Sequence, residues 1–186
     1  MLRHARDLLE VKEDFNFKKE IGEKVEKIFK QTLLNNGIHA EFMWLKHDGI
    51  GSHDFEITNA KNQKKFYIEL KSYGKSSGRT LHLAPSQAKF GSLHPDNYCL
   101  ASIERPVNID AVTEEYIESK LVARTNIETL VSKGLEDYDS YNQIDKEKNL
   151  HLILREDIRI KVNHVELKET AILFYQLVEK IKTQLT

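Results

Sequence analysis

The stretch Lys65-Phe66-Tyr67-Ile68-Glu69-Leu70-Lys71-Ser72 constrains the fold more than any other part of the chain. Phe66, Ile68 and Leu70 recur at every second position, so a strand carries them on one face. Glu69 and Lys71, also two apart, leave together from the other face. A carboxylate and an ammonium side by side at the end of a buried strand are costly unless they pair with something or perform chemistry.

Two strand-like runs precede this one. Ala40 to Lys46 is rich in aromatic residues, and His53 to Thr58 alternates. Asp48-Gly49-Ile50-Gly51-Ser52 separates the first two runs and Asn59-Ala60-Lys61-Asn62 the second and third, both with turn chemistry. Upstream, Ile21, Val25, Ile28, Phe29, Thr32 and Leu33 form one helical stripe, which predicts a helix from Phe17 to Asn36. Asn35-Asn36-Gly37 supplies residues that tolerate the left-handed backbone ending a helix. Downstream, Thr80 to Leu83 reads as a short strand, Pro85 opens a short helix, and Tyr98 to Ile103 is a further apolar strand. Ile109 to about Gly134 looks helical and acidic. Leu150–Leu154 and Ile158–Val162 predict a hairpin, and Val165–Leu185 an amphipathic C-terminal helix. Helix, three strands, helix, strand, then an addition: this order specifies an α/β or α+β domain. Residues 1–104 would hold the N-terminal helix and the α/β core. Residues 105–186 would add an acidic helical segment, a strand pair and the C-terminal helix to the same domain.

The chain has 186 residues, enough to bury a core without disulfides, and Cys99 is its single cysteine. That excludes a Cys-based zinc site. No apolar run approaches the roughly 18 residues of a membrane span. Met1 to Glu13 is charged and lacks the apolar core of a secretory leader, so a cytoplasmic protein is expected. The net charge of −1 argues against a protein that coats nucleic acid at large. Its distribution is uneven: Ala60 to Gly91 carries a local balance of +6, and Glu104 to Asp139 one of −5. Charge runs are usually solvated faces; the sharper reading is a basic face for a polyanion and an acidic face turned away.

The chemistry concentrates in Gly49-Ile50-Gly51-Ser52-His53-Asp54 and the strand bearing Glu69 and Lys71. In a hairpin, Asp54 starts the strand next to Glu69 and could converge on it. Two carboxylates suit a hard divalent cation such as Mg²⁺, with water and phosphate oxygen completing its shell. A lysine beside them can orient the water or stabilise charge developing on phosphate. Phosphodiester hydrolysis needs this set.

Asp54, fourteen intervening residues, then Glu69-Leu70-Lys71 resembles the signature of the PD-(D/E)XK phosphodiesterase superfamily. The runs GIGSHDFEI (49–57), KKFYIELKS (64–72), LHLAPSQAKF (81–90) and NYCLASIE (97–104) are similar to a nuclease-like domain. That domain occurs in NO VEIN-type proteins and in bacterial restriction and defence proteins. The resemblance spans about Ile21 to Glu104. It implies a restriction-endonuclease-like core, with a central mixed β-sheet flanked by helices. It also implies that Asp54 and Glu69 are metal ligands, Lys71 the catalytic lysine, and Gln87 the polar residue of the following helix. Gly22-Glu23-Lys24-Val25-Glu26 puts Glu26 at the family's helix glutamate, a third member of the acidic cluster, although Val25 stands where a second Gly is usual. His53 also departs from the pattern, standing where Pro often precedes the aspartate.

The resulting expectation is a Mg²⁺-dependent nuclease, with Mn²⁺ as an alternative metal, cutting DNA in restriction, repair or defence. Lys75, Arg79 and Lys89 in the basic segment would contact phosphates. The rival is a catalytically silent nuclease-fold module that binds nucleic acid or a partner. The C-terminal region is a candidate surface for a homodimer or another protein. Trp44 and Tyr67 read as core; His47 and His53 flank the Gly-rich turn and could touch the site, solvated loop histidines being commoner. Ser52 and Ser72 lack the His/Asp relay of a serine hydrolase.

Overall fold

A computed structural model of the chain describes residues 2–38, 43–47, 52–74, 80–147 and 158–186, with side chains from 16–38, 52–74, 80–143 and 158–186. The first helix, α1 (Leu2–Asn35), begins well before Phe17. Its stripe is buried as the spacing predicts: Ile21, Val25, Phe29 and Leu33 are all inside. Gly37 takes φ +90°. The Ile38 amide then donates to Leu33 O and the Gly37 amide to Leu34 O, which satisfies the last carbonyls of the helix.

Three antiparallel strands follow: β1 (Met43–His47), β2 (Phe55–Asn59) and β3 (Lys65–Tyr73). The chain then passes through β4 (Thr80–Leu83) and α2 (Pro85–Leu93) to β5 (Tyr98–Glu104), which lies parallel to β3. The rest comprises a 3₁₀ turn at Ile109–Ala111, α3 (Glu114–Lys120), β6 (Val122–Thr125), α4 (Glu128–Glu147), β7 (Ile160–Asn163), α5 (His164–Glu169), β8 (Ile172–Leu173) and α6 (Phe174–Leu185). Among the described residues one mixed sheet runs β1-β2-β3-β5-β6-β8, and β4 pairs with β7 in a second, two-stranded sheet. No described helix is long and apolar enough to cross a membrane.

The pleat divides the main sheet into two faces. Phe55, Ile57, Phe66, Ile68 and Leu70 pack with Phe29 of α1 and with Phe174, Leu177 and Ile181 of α6. Phe29 meets Phe55 and Phe174 edge-on, at ring separations of 5.3 and 6.4 Å. On the other face Tyr73, Tyr98 and Leu100 pack with Leu81 and Leu83 of β4, Ala88 of α2 and Val131 of α4. Glu69 and Lys71 leave from this second face.

Several expectations for residues 105–186 need correction. The acidic stretch is not one helical region: Val122–Thr125 is a strand that pairs antiparallel with β5. Ile160–Asn163 pairs with Thr80–Leu83 rather than serving only a local hairpin, and Leu150–Leu154 lies outside the described residues. Val165–Leu185 is not a single helix. Asn163 Oδ1 accepts the Val165 amide to start α5, and Ile172–Leu173 then pairs with Val122 and Ala123 at the sheet edge. Leu167 belongs to one core face and Phe174 to the other, so the chain has to cross the edge between them. A continuous helix would keep these residues, seven apart, on one side.

Candidate active site

The β2–β3 hairpin sets the position of Asp54. Its amide donates to Ile68 O at 3.0 Å, and its Oδ2 accepts the Leu70 amide at 2.8 Å. Main chain and side chain together extend the ladder past the end of β2, opposite Glu69. Glu69 is fully buried, while the Lys71 side chain keeps 25% of its surface exposed. The Lys71 ammonium lies against Glu69 Oε1. The same oxygen accepts from Gln87 Nε2 at 2.7 Å. Gln87 is fixed in turn, because its Oε1 accepts the Ala84 amide at 2.9 Å, where α2 begins.

Glu69 Oε2 is buried and has no hydrogen-bond partner among the described residues. Burial pushes the Glu69 carboxyl up to about 8. Lys71 opposes this shift, while the charges of Asp54 and, last, Glu26 add to it. Two more orphaned atoms, Tyr98 Oη and Ser102 Oγ, lie on the same face of β5. The Tyr98 phenol is held well above its ordinary range by burial first, then by Glu69, Cys99 and Asp54. Ser102 is the cross-strand neighbour of Lys71. An orphaned carboxylate oxygen beside Asp54, two hydroxyls and a partly exposed ammonium form a donor set that fits a hard divalent cation and an anion.

The structure brings together Asp54, Glu69, Lys71 and Gln87. Glu26 is half-buried on α1, where with Phe55, Lys27 and Lys30 it borders a cleft of about 280 Å³. Among the described residues no three His, Cys, Asp or Glu side chains are assembled as a metal-binding group. The expected three-carboxylate cluster is therefore not preformed. The reason is layering: α1 covers the apolar face of the sheet, whereas Glu69 leaves from the other. The charge of Glu26 adds to the upward shift of the Glu69 carboxyl.

The expected basic face divides. Lys61 and Lys64 sit in the β2–β3 turn, at the opposite end of the hairpin from Asp54. In that turn Asn62 Nδ2 instead donates to Leu185 O at the end of α6. Lys65 pairs with Glu56 at 2.8 Å. Lys89 is exposed two residues beyond Gln87 on α2, about 200° around the helix, so it does not face the site. Lys75 and Arg79 lie outside the described residues, as does the Trp44 side chain.

Sequence reasoning missed an aromatic group bordering the site. His53, beside the Gly-rich turn, has only 13% of its side chain exposed. Its ring lies 4.7 Å from that of Tyr67 and 5.2 Å from that of Phe90, and Phe90 stacks on His94 at 4.1 Å. Extending the β3 alternation to β5 would have flagged Tyr98 and Ser102, since a parallel neighbour presents alternate residues to the same face. Comparisons with family models, curated proteins and solved structures find no match to this chain.

Proposed function

We propose that this chain hydrolyses phosphodiester bonds of nucleic acid, with DNA as the favoured substrate and Mg²⁺ as the cofactor. One observation carries the proposal: Glu69 is buried with an orphaned oxygen, held against the Lys71 ammonium, and flanked by an Asp54 locked in place by Leu70. A sheet that needed only stability would have an apolar pair there, since buried ions gain little over apolar residues of equal volume. The order helix, three antiparallel strands, helix, parallel strand also agrees with the restriction-endonuclease-like core implied by the sequence resemblance.

Asp54 and Glu69 would hold the cation. When bound, a divalent cation polarises the phosphoryl group and acidifies a coordinated water. The chain's own residues prepare that step. Gln87 holds one oxygen of Glu69 and so fixes the rotation of its carboxylate. Lys71, partly exposed, turns its ammonium toward an incoming phosphate and stabilises the charge that builds there. Glu26 adds negative potential from α1.

A second reading, a silent nucleic-acid-binding or partner-binding module, draws on the Lys71–Glu69 ion pair and the absence of a preassembled carboxylate triple among the described residues. Supercoiled-plasmid cleavage in Mg²⁺ or Mn²⁺ separates the two, with cation binding measured in parallel by calorimetry. The nuclease proposal expects cleavage and cation binding in the wild type, and loss of cleavage in Asp54→Asn, Glu69→Gln and Lys71→Ala. Cation binding that survives Asp54→Asn combined with Glu69→Gln would sink the proposed site.

A further inference from the structure

Beyond the acids, the carboxyl ends of β3 and β5 carry a feature that the hydrolytic reading leaves unused. A pocket of about 240 Å³ opens there, lined by Lys71, Ser72, Thr80, His82 and Arg105 among others. At about 30 Å³ per liquid water, that is room for a phosphate group with several waters. Among the described residues no carboxylate lines it, and Arg105 has no acidic side-chain partner there. The Arg105 amide donates to Tyr73 O at 2.7 Å, which ties the end of β5 to the end of β3. The guanidinium lies against Gly74 so closely that a Cβ at that position would stand 3.0 Å from Nη2. The missing side chain of Gly74 leaves the space in which the guanidinium rests over the strand end.

We infer that Arg105, together with Lys71 and Thr80, forms a phosphate-binding subsite for the phosphodiester neighbouring the one cleaved. The inference rests on the nuclease proposal and adds how the substrate is gripped. An arginine fork matches two oxygens of one phosphate, which a lysine cannot do. Lys71 belongs to both the pocket and the acidic site, so a strand held at Arg105 places its next phosphate beside Asp54 and Glu69. Contacts to phosphate carry no base information, so this subsite grips any sequence equally. His82 is exposed at the rim.

The test uses the full chain and a labelled duplex oligonucleotide in EDTA, so that no cleavage occurs. Fluorescence anisotropy is recorded over a NaCl series for wild type, Arg105→Ala, Arg105→Gln, Arg105→Lys and Asp54→Asn, with melting curves to check folding. Arg105→Ala and Arg105→Gln should weaken binding about tenfold at low salt. Both should also lower the slope of log K against log salt by about 0.9, the value of one phosphate contact on duplex DNA. Arg105→Lys should keep the slope and lose part of the affinity. Weaker binding at an unchanged slope would mark Arg105 as merely structural and overturn the inference. So would unaltered binding, or a wild type that binds no oligonucleotide. Plasmid cleavage distinguishes the two proposals. Cleavage with Arg105-independent binding removes the subsite alone. Arg105-dependent binding with no cleavage in Mg²⁺ or Mn²⁺ removes the nuclease reading and leaves a phosphate-gripping module.

Discussion

Burial of Glu69 should make the protein less stable as pH rises, and Glu69→Gln should relieve that cost. In the folded chain burial pushes its carboxyl up to about 8 from an ordinary 4.5. Between these values the unfolded chain has lost the proton while the folded chain keeps it. Stability therefore falls with rising pH by about 1.4 kcal/mol per unit. By pH 7 the loss is about 3 kcal/mol, and it levels off near 5 kcal/mol above pH 8. Below pH 4.5 both states are protonated and the penalty vanishes. Glutamine keeps the shape and the acceptor oxygen without the ionisation, and Lys71 retains access to water. Urea denaturation in EDTA from pH 4.5 to 8.5 tests this. The variant should match the wild type near pH 4.5 and exceed it by about 3 kcal/mol at pH 7. If Glu69→Gln is instead the less stable protein at pH 7, by a margin that widens with pH, then the Lys71 pair outweighs burial. Glu69 would then be an ordinary ionised partner, and the physical reasoning applied to the site fails.

Three further outcomes follow from the same contacts. Under the metal-dependent reading, cation binding should expel the Glu69 proton below pH 8; calorimetry in buffers of differing ionisation enthalpy should then report proton release approaching one per site at pH 6.5. Gln87→Ala removes both the bond to Glu69 and the acceptor for the Ala84 amide; it should cost about 1–3 kcal/mol in urea denaturation, and an unchanged midpoint would show that Gln87 does not hold the carboxylate. Gly91→Ala should destabilise by about 1–3 kcal/mol, because its Cβ would come within 2.6 Å of both Tyr98 Cε1 and Ile127 Cδ1; a neutral melting temperature would contradict the tight packing of α2 on β5.

The central hairpin and the faces of its polar residues were legible in the sequence because both are local. The side chains of a strand alternate by geometry, so Phe66, Ile68 and Leu70 had to part from Glu69 and Lys71 whatever the rest of the chain did. Asp54 followed from the turn between Asn59 and Asn62, which fixes the hairpin register and hence the residue facing Glu69. The end of α1 was equally local, since Gly37 supplies the positive φ that closes it. Choices of partner were not legible. Nothing within Val122–Thr125 or Ile160–Asn163 says which strand it will pair with, and such short segments are strands because distant edges accept them. The helical spacing of Leu167, Phe174 and Ile181 hides the fact that the chain passes from one face of the sheet to the other between the first two. Glu26 had the right spacing on its helix, yet the layer that helix occupies, on the apolar side of the sheet, keeps it from being assembled with Asp54 and Glu69 as a carboxylate triple. Arg105 reads in sequence only as the residue before Pro106, and it becomes part of a basic pocket because β3 and β5 run parallel and end together. Backbone periodicity is written residue by residue. The convergence of side chains distant in sequence depends on which apolar faces bury each other, and only the folded chain resolves that competition.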